Sequence, residues 1–184
     1  MRHDRAHHEA VPPVALRVAG SADAAALALV GQATFLETYA GILGAEDILS
    51  HCASQHAESV YAQWIADPAV CCWIAEASHG SAPVGYLVLA PASVPLKDPE
   101  PTDLEIKRIY LLYRFQRHGA GRRLMDAARR HARAVGCLRL VLGVYSRNDH
   151  ALAFYERLGF KRIGERTFRV GNSDYHDYLL GLSL

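Results

Sequence analysis

The residues from Glu105 to Arg123, EIKRIYLLYRFQRHGAGRR, constrain the chain more than any other stretch. The first half has the isoleucine, tyrosine and leucine enrichment of a strand. The second half passes through Gly119 and Gly121 into RRLMDAARRHARAV, whose apolar residues recur at helical spacing. A strand therefore feeds a helix through a glycine turn. The first amides of a helix have no intrahelical acceptor, and the helix dipole adds partial positive charge beside them. Glycines at 119 and 121 put no side chain between that backbone and a guest, and Arg117, Arg122 and Arg123 add charge around the turn. The junction suits an anion such as phosphate or pyrophosphate. The same two glycines would also serve a plain tight turn, so the residues alone leave both readings open. Nucleotide folds fit less well: there is no GxxxxGK[ST], QRHGAG lacks the first glycine of GxGxxG, and the turn does not follow the first strand.

A second pattern lies downstream, in NDHALAFYERLGF from Asn148 to Phe160. It reads as a short helix with Asn148 at its start, Gly159 in the left-handed position past its last turn, and Phe160 folding back on Phe154 or Leu158. Together the two blocks resemble the GCN5-related N-acetyltransferase (GNAT) superfamily. Gln116-Arg117-His118-Gly119-Ala120-Gly121 is similar to its Q/R-x-x-G-x-G/A motif, and Asn148 to Phe160 to its N-x-x-A-x-x-F-Y-x-x-x-G-F block. The two occur in the proper order, separated by a helix and a strand, and the resemblance covers most of residues 14 to 183.

That resemblance implies a single-domain α/β fold: a mixed, mostly antiparallel seven-stranded sheet with splayed central strands, flanked by helices. It implies acetyl-CoA as cofactor, with the pyrophosphate on the turn from Gln116 to Arg123, pantetheine in the slot beside the central strand, and the backbone at Leu111 against the cofactor. Asn148 is expected to fix pantetheine or the helix start. Tyr155 matches the tyrosine that stands by the cofactor sulfur, and is expected to donate a proton as thiolate develops. Glu105 matches the general-base glutamate of some members; an ion pair with Lys107 or Arg108 is the competing reading. His176 is a reserve base, since imidazole titrates near neutrality. Phe35, Tyr39 and Ile42 are candidate walls of the acceptor pocket, with a core role open for Phe35 and Ile42, and Tyr145 is grouped with them. The expected acceptor is a primary amine, the segments LEIKRIYLLYRFQRHGAG and GNSDYHDYLLGLSL most resembling polyamine acetyltransferases of the PaiA type. Asp174, Asp177 and Glu105 are the acids available to a polycation. A peptide amine is an alternative acceptor.

The remaining chain agrees with one domain. Its 184 residues, 51% hydrophobic and 21% charged with a net charge of +1, suit a single core. Residues 1–13 are expected to be a flexible tail, with the fold starting at Val14. Asp103 to Leu112 does not alternate cleanly, which predicts a bulge. Ser21 is expected to cap the first helix, and Ala45 to Ala66 to form one further helix. Cys52, Cys71, Cys72 and Cys137 have no metal spacing and read as free thiols, so no metal is expected. No apolar run is long enough to cross a bilayer, and a cytoplasmic protein is expected. Nine Lys or Arg against one acid between Lys107 and Arg133 raise a nucleic-acid face as an alternative; facing CoA phosphates or solvent is the other reading, and no nucleic-acid partner is expected. A homodimer is expected from the resemblance, with YHDYLLGLSL as a possible interface strand.

Overall fold

The computed structural model describes residues 11–170 and 173–184. Seven strands, β1 (Val14–Val18), β2 (Cys71–Ala77), β3 (Pro83–Pro91), β4 (Leu104–Leu111), β5 (Arg139–Tyr145), β6 (Lys161–Val170) and β7 (Ser173–Ser183), form one sheet in the order β1-β2-β3-β4-β5-β7-β6. All neighbours are antiparallel except β4 and β5. Five helices flank the sheet: α1 (Ala24–Tyr39), α2 (Ala45–Gln55), α3 (Glu58–Ala66), α4 (Ala120–Ala134) and α5 (Asp149–Arg157). The α/β architecture read from the sequence is the one observed.

Strand alternation sorts the sheet into two faces. Cys72, Ile74, Tyr86 and Val88 form a core with Leu27 and Val30 of α1 and Tyr61 of α3. The opposite face packs Trp73, Leu87, Leu89, Ile106, Leu140 and Leu142 against Leu124, Met125 and Ala128 of α4, with Tyr155 of α5. Leu124 and Met125 are fully buried, each stabilising the fold by about 2 kcal/mol relative to exposure. Arginines at 122, 123 and 130 lie on the outer side of that helix.

Two features shape the centre of the sheet. Val88 pairs with Arg108 while Leu89 pairs with Ile106, so Lys107 is the extra residue of the expected bulge. Beyond it β4 leaves β5: their pairing is limited to Leu104 with Leu140 and Glu105 with Val141. The closed end is pinned by Arg139, whose guanidinium grips the buried Asp103 carboxylate at 2.6 and 2.9 Å.

Several local expectations change. Ala45 to Ala66 is two helices, because the chain turns at His56, which is 1% exposed and places its ring against the Tyr61 hydroxyl at 2.8 Å. Gly31 makes room for that contact, since a Cβ there would overlap the Tyr61 hydroxyl. Ser21 makes no cap; it opens a 3-10 turn in which Asp23 accepts from the Gly20 amide at 2.7 Å. Phe160 packs on Tyr155 at 5.6 Å between ring centroids. The C-terminal strand is internal, paired to β5 and β6 along its two edges, so it offers no free edge to a second copy. Most of the N-terminal tail, and residues 171–172, lie outside the described residues. No described helix is long and apolar enough to cross a membrane.

Candidate active site

Gly119 has φ +81° and is the N-cap of α4, with no side-chain cap. An added Cβ would meet nothing within 4 Å, so the approach to the turn is open. Arg123 is the first residue whose amide reaches back, to the Gly119 carbonyl, which leaves the amides of Ala120, Gly121 and Arg122 without intrahelical acceptors. Arg117, with φ +65°, supplies the tight bend ahead of the glycine, and its side chain and that of His118 are exposed. Arg122 is exposed beside Asp126 at 4.0 Å. Arg123 is engaged elsewhere, donating to the Val14 carbonyl at 2.8 Å.

The turn lies against the end of β4, where an added Cβ at Gly121 would stand 3.5 Å from the Leu111 side chain. Leu112 donates its amide to Val84 on β3, so by the alternation of an antiparallel ladder the Leu111 amide and carbonyl point to the β5 side. Gln116 occupies that carbonyl through its Nε2 at 2.9 Å, while the Leu111 amide faces the gap. Gly85, which the sequence reading did not single out, sits opposite Leu111; a side chain there would overlap Leu111 and the Tyr110 carbonyl.

The second block closes the other side. Asn148 Oδ1 accepts from the Ala151 amide at 3.0 Å, so its side chain starts α5, and Gly159, with φ +91°, ends the turn. Phe154 lies 3.6 Å from where a Gly121 Cβ would stand, which joins the two sequence blocks in space. Tyr155 is buried between Phe154 and Phe160. Burial, and then the Tyr110 phenol, raise its pKa and keep it protonated.

On the sheet face under α1 and α2, Tyr39 and Tyr110 lie close together. The neighbouring Tyr110 and burial hold the Tyr39 phenol well above its ordinary value. Phe35 is buried between Tyr39 and His51, stacking on the imidazole at 4.2 Å. Ile42 is 48% exposed in the α1–α2 connection. Across the gap Tyr145 pairs with Asp177 on β7 and stands edge-on to Tyr175 at 5.8 Å. Asp177 is 6% exposed; burial raises its pKa, partly offset by Arg166 at 3.2 Å. Gly143 makes that pair possible, because an added Cβ would stand 2.7 Å from the Arg166 guanidinium.

The two proposed bases are differently placed. Glu105 is 5% exposed, accepts from the Ser93 amide at 2.8 Å, and is paired with Lys107 at 2.8 Å. His176 is on the other face from Asp177, exposed and 3.1 Å from Glu165. The three acids available to a polycation are likewise each paired with a base, Asp174 with Arg169, Asp177 with Arg166, and Glu105 with Lys107. Asp174 is exposed. The two best-formed surface cavities, of about 270 and 490 Å³, have no lining residue from β4, β5 or α5.

Comparison with known proteins accords with this geometry. The acetyltransferase (GNAT) family profile matches residues 42–160. An uncharacterized N-acetyltransferase of Mycobacterium tuberculosis is 32% identical over 158 residues, spanning 86% of this chain and 96% of the relative. The chain belongs to the acetyltransferase (GNAT) family, whose chemistry is acyl transfer with acetyl-CoA as donor. The spermine/spermidine N(1)-acetyltransferase of Bacillus subtilis is 33% identical over 64 residues, 34% of this chain and 42% of that one. Among solved structures, the PaiA N-acetyltransferase of Thermoplasma acidophilum in complex with coenzyme A superposes with a TM-score of 0.73 at 20% identity, covering 94% of this chain and 99% of its own.

Proposed function

We propose that the protein transfers the acetyl group of acetyl-CoA to the primary amine of a small molecule by direct attack. The observation that carries this reading is the juxtaposition of the uncapped glycine start of α4 with Leu111 and Phe154 beside the gap where β4 leaves β5. The amides of Ala120, Gly121 and Arg122, with Arg117 and Arg122, hold the pyrophosphate. The Leu111 amide, aimed into the gap, donates to the donor's acyl end, and Gln116 and Asn148 hold the backbone at the two sides in place. The donor supplies a thioester already activated for acyl transfer, so no covalent enzyme nucleophile is required.

An ammonium has no lone pair, and the acceptor must give up a proton before it attacks. We assign that task to Asp177. Its carboxylate lies on the acceptor face, and burial raises its proton affinity. Glu105 is bound by Ser93 and Lys107, and serves in this reading to hold the bulge; His176 lies on the far face. Tyr155, protonated in its apolar surroundings, donates to the leaving sulfur. Phe35, Tyr39 and Tyr145 shape the acceptor side, and Ile42 borders it. With its available acids paired, this face favours a small amine over a long polycation or a peptide.

Calorimetry with acetyl-CoA tests the placement. Gly119→Val should weaken affinity at least about tenfold, because a side chain would enter the approach to the amides and would need an unfavourable positive φ. Unchanged affinity in a folded Gly119→Val protein would move the donor site elsewhere.

A further inference from the structure

Arg108 is a half-buried guanidinium with no anion in hand. It rises from β4 just past the bulge, on the face covered by α1, α2 and α3. Nη1 donates to the Tyr61 hydroxyl at 2.9 Å, which in turn donates to Nδ1 of His56 at 2.8 Å. Cζ stands 4.7 Å from the centre of the Trp64 ring and 5.5 Å from that of Tyr61. No carboxylate among the described residues lies within salt-bridge distance of it. The other groups facing it are uncharged at neutral pH: His51, His56, Cys52, Cys72, Tyr86 and Tyr110. Burial, followed by Arg108 itself, lowers His51 to about 4 and His56 to about 2.

A partly desolvated cation without a counter-ion is costly unless something else supplies the negative charge. Aromatic faces and one hydroxyl offset part of that cost, and they also fix the guanidinium, leaving Nε and Nη2 without described partners. Next to it the Tyr86 hydroxyl is buried with no hydrogen-bond partner among the described residues. Two residues further along the same face of β4 comes Tyr110, within electrostatic reach of both Arg108 and Asp177. Apart from the closed Glu105–Lys107 pair, and Glu37 of α1, whose carboxylate accepts from the Tyr113 amide at 2.8 Å, the described charges placed here on the acceptor face are Arg108, Arg166 and Asp177. Arg166 and Asp177 hold each other, and Arg108 is the cation with no ion-pair partner among the described residues.

We propose that the acceptor is an amino carboxylate, its carboxylate seated against the Arg108 guanidinium and its amine turned toward Asp177. This deepens the N-acetyltransferase reading and rests on it. A plain polyamine brings a second cation to a face that already holds one unbalanced cation, whereas a carboxylate supplies the missing charge and accepts from the two free nitrogens of a planar donor. The amine end reacts as in the transfer above: the ammonium gives one proton to Asp177, its nitrogen bonds to the acetyl carbon, the carbon–sulfur bond breaks as Tyr155 protonates the sulfur, and the second proton shed by the nitrogen restores the Tyr155 phenol.

The test uses the full chain with acetyl-CoA and matched acceptors: the common amino acids, their carboxamides, and the polyamines spermidine and putrescine. Thiol release is followed and products are weighed by mass spectrometry. At least one free acid should be acetylated with kcat/KM roughly ten- to a hundredfold above its carboxamide, the loss residing mainly in KM. This comparison needs no variant. In Arg108→Gln the acid-to-amide ratio should collapse toward one, and in Arg108→Lys it should recover in part; a purely structural arginine would lower acid and amide rates together and leave the ratio unchanged. Equal use of acid and amide by the native enzyme, or a ratio that survives in Arg108→Gln, overturns the proposal. Acetyl-CoA binding with no acid acetylated also overturns it while leaving the transferase reading intact, whereas absence of acetyl-CoA binding sinks that reading itself.

Discussion

At the scale of single residues, the proposed assignment divides the reaction between a phenol and a carboxylate that burial affects in the same direction. Both conjugate bases lose solvation, so Tyr155 stays protonated as a donor while Asp177 becomes a better proton acceptor. Paired variants separate the two. Tyr155→Phe should lower kcat by roughly tenfold or more with acetyl-CoA affinity unchanged, since the hydroxyl acts as charge develops on sulfur. Asp177 must be ionised to accept a proton. The native kcat/KM should therefore rise with pH along a limb lying above the ordinary carboxylate range, and Asp177→Asn should lower the rate and abolish that limb. Stopped assays across pH, with calorimetry for the donor, provide the check. A persisting limb in Asp177→Asn, or full turnover in Tyr155→Phe with chemistry limiting the rate, would remove the assignment.

At the scale of elements, the slot depends on two strands that start together and then part. The Lys107 bulge and the short β4–β5 pairing open it, while the Asp103–Arg139 pair holds its closed end. That side-chain pair is 2% and 19% exposed, so solvent screens it little. Arg139, by hydrogen bonding, holds the Asp103 carboxylate below its ordinary value. A depressed acid contributes stability above its unfolded pKa, near 3.9, that is lost as pH falls through the folded value. Asp103→Asn should cost about 3 kcal/mol at neutral pH, because Arg139 loses its main partner. Chemical denaturation of the two proteins should show the gap narrowing below about pH 4. A constant gap across that range would mean that the pair does not carry the difference.

For the molecule as a whole, self-association remains a proposal, and the fold changes what would carry it. With β7 internal, the free sheet edges are those of β1 and β6. The large apolar side chains left in solvent include Leu29 and Leu36 of α1 and Leu49 of α2, at 63%, 53% and 70% exposure. We propose that a homodimer buries the α1 surface. Sedimentation equilibrium should give a dimer for the native chain and a monomer for Leu36→Asp, with the same melting temperature extrapolated to low concentration. A native monomer with full activity would remove the dimer. Two of the α4 arginines have other places: Arg122 stands beside Asp126 at the start of the helix, and Arg123 is bound to the Val14 carbonyl of β1.

Local chemistry made much of this legible in the sequence. Gly119 and Gly159 are needed at positive φ, and Asn148 caps a helix three residues from its target, so each could be read from its own neighbourhood. The irregular alternation of β4 likewise announced its bulge, because a period of two cannot hide an extra residue. What neighbours in space decide was not readable. Glu105 and Asp177 are both acids in strands, and only the fold gives one to Ser93 and Lys107 and the other to Arg166. His176 and Asp177 are adjacent in sequence, yet alternation puts them on opposite faces once the strand is placed. Arg108 looked like one more arginine in a basic stretch until packing set it among Tyr61, Trp64 and two neutral histidines with no acid beside it. The sequence alone determined the glycine turns at 119 and 159 and the order of the seven strands along the chain, because those follow from short-range sterics and periodicity. Only the tertiary structure decided which charges meet, because pairing depends on residues as far apart as 59 positions in the chain, the separation of Arg17 and Glu76.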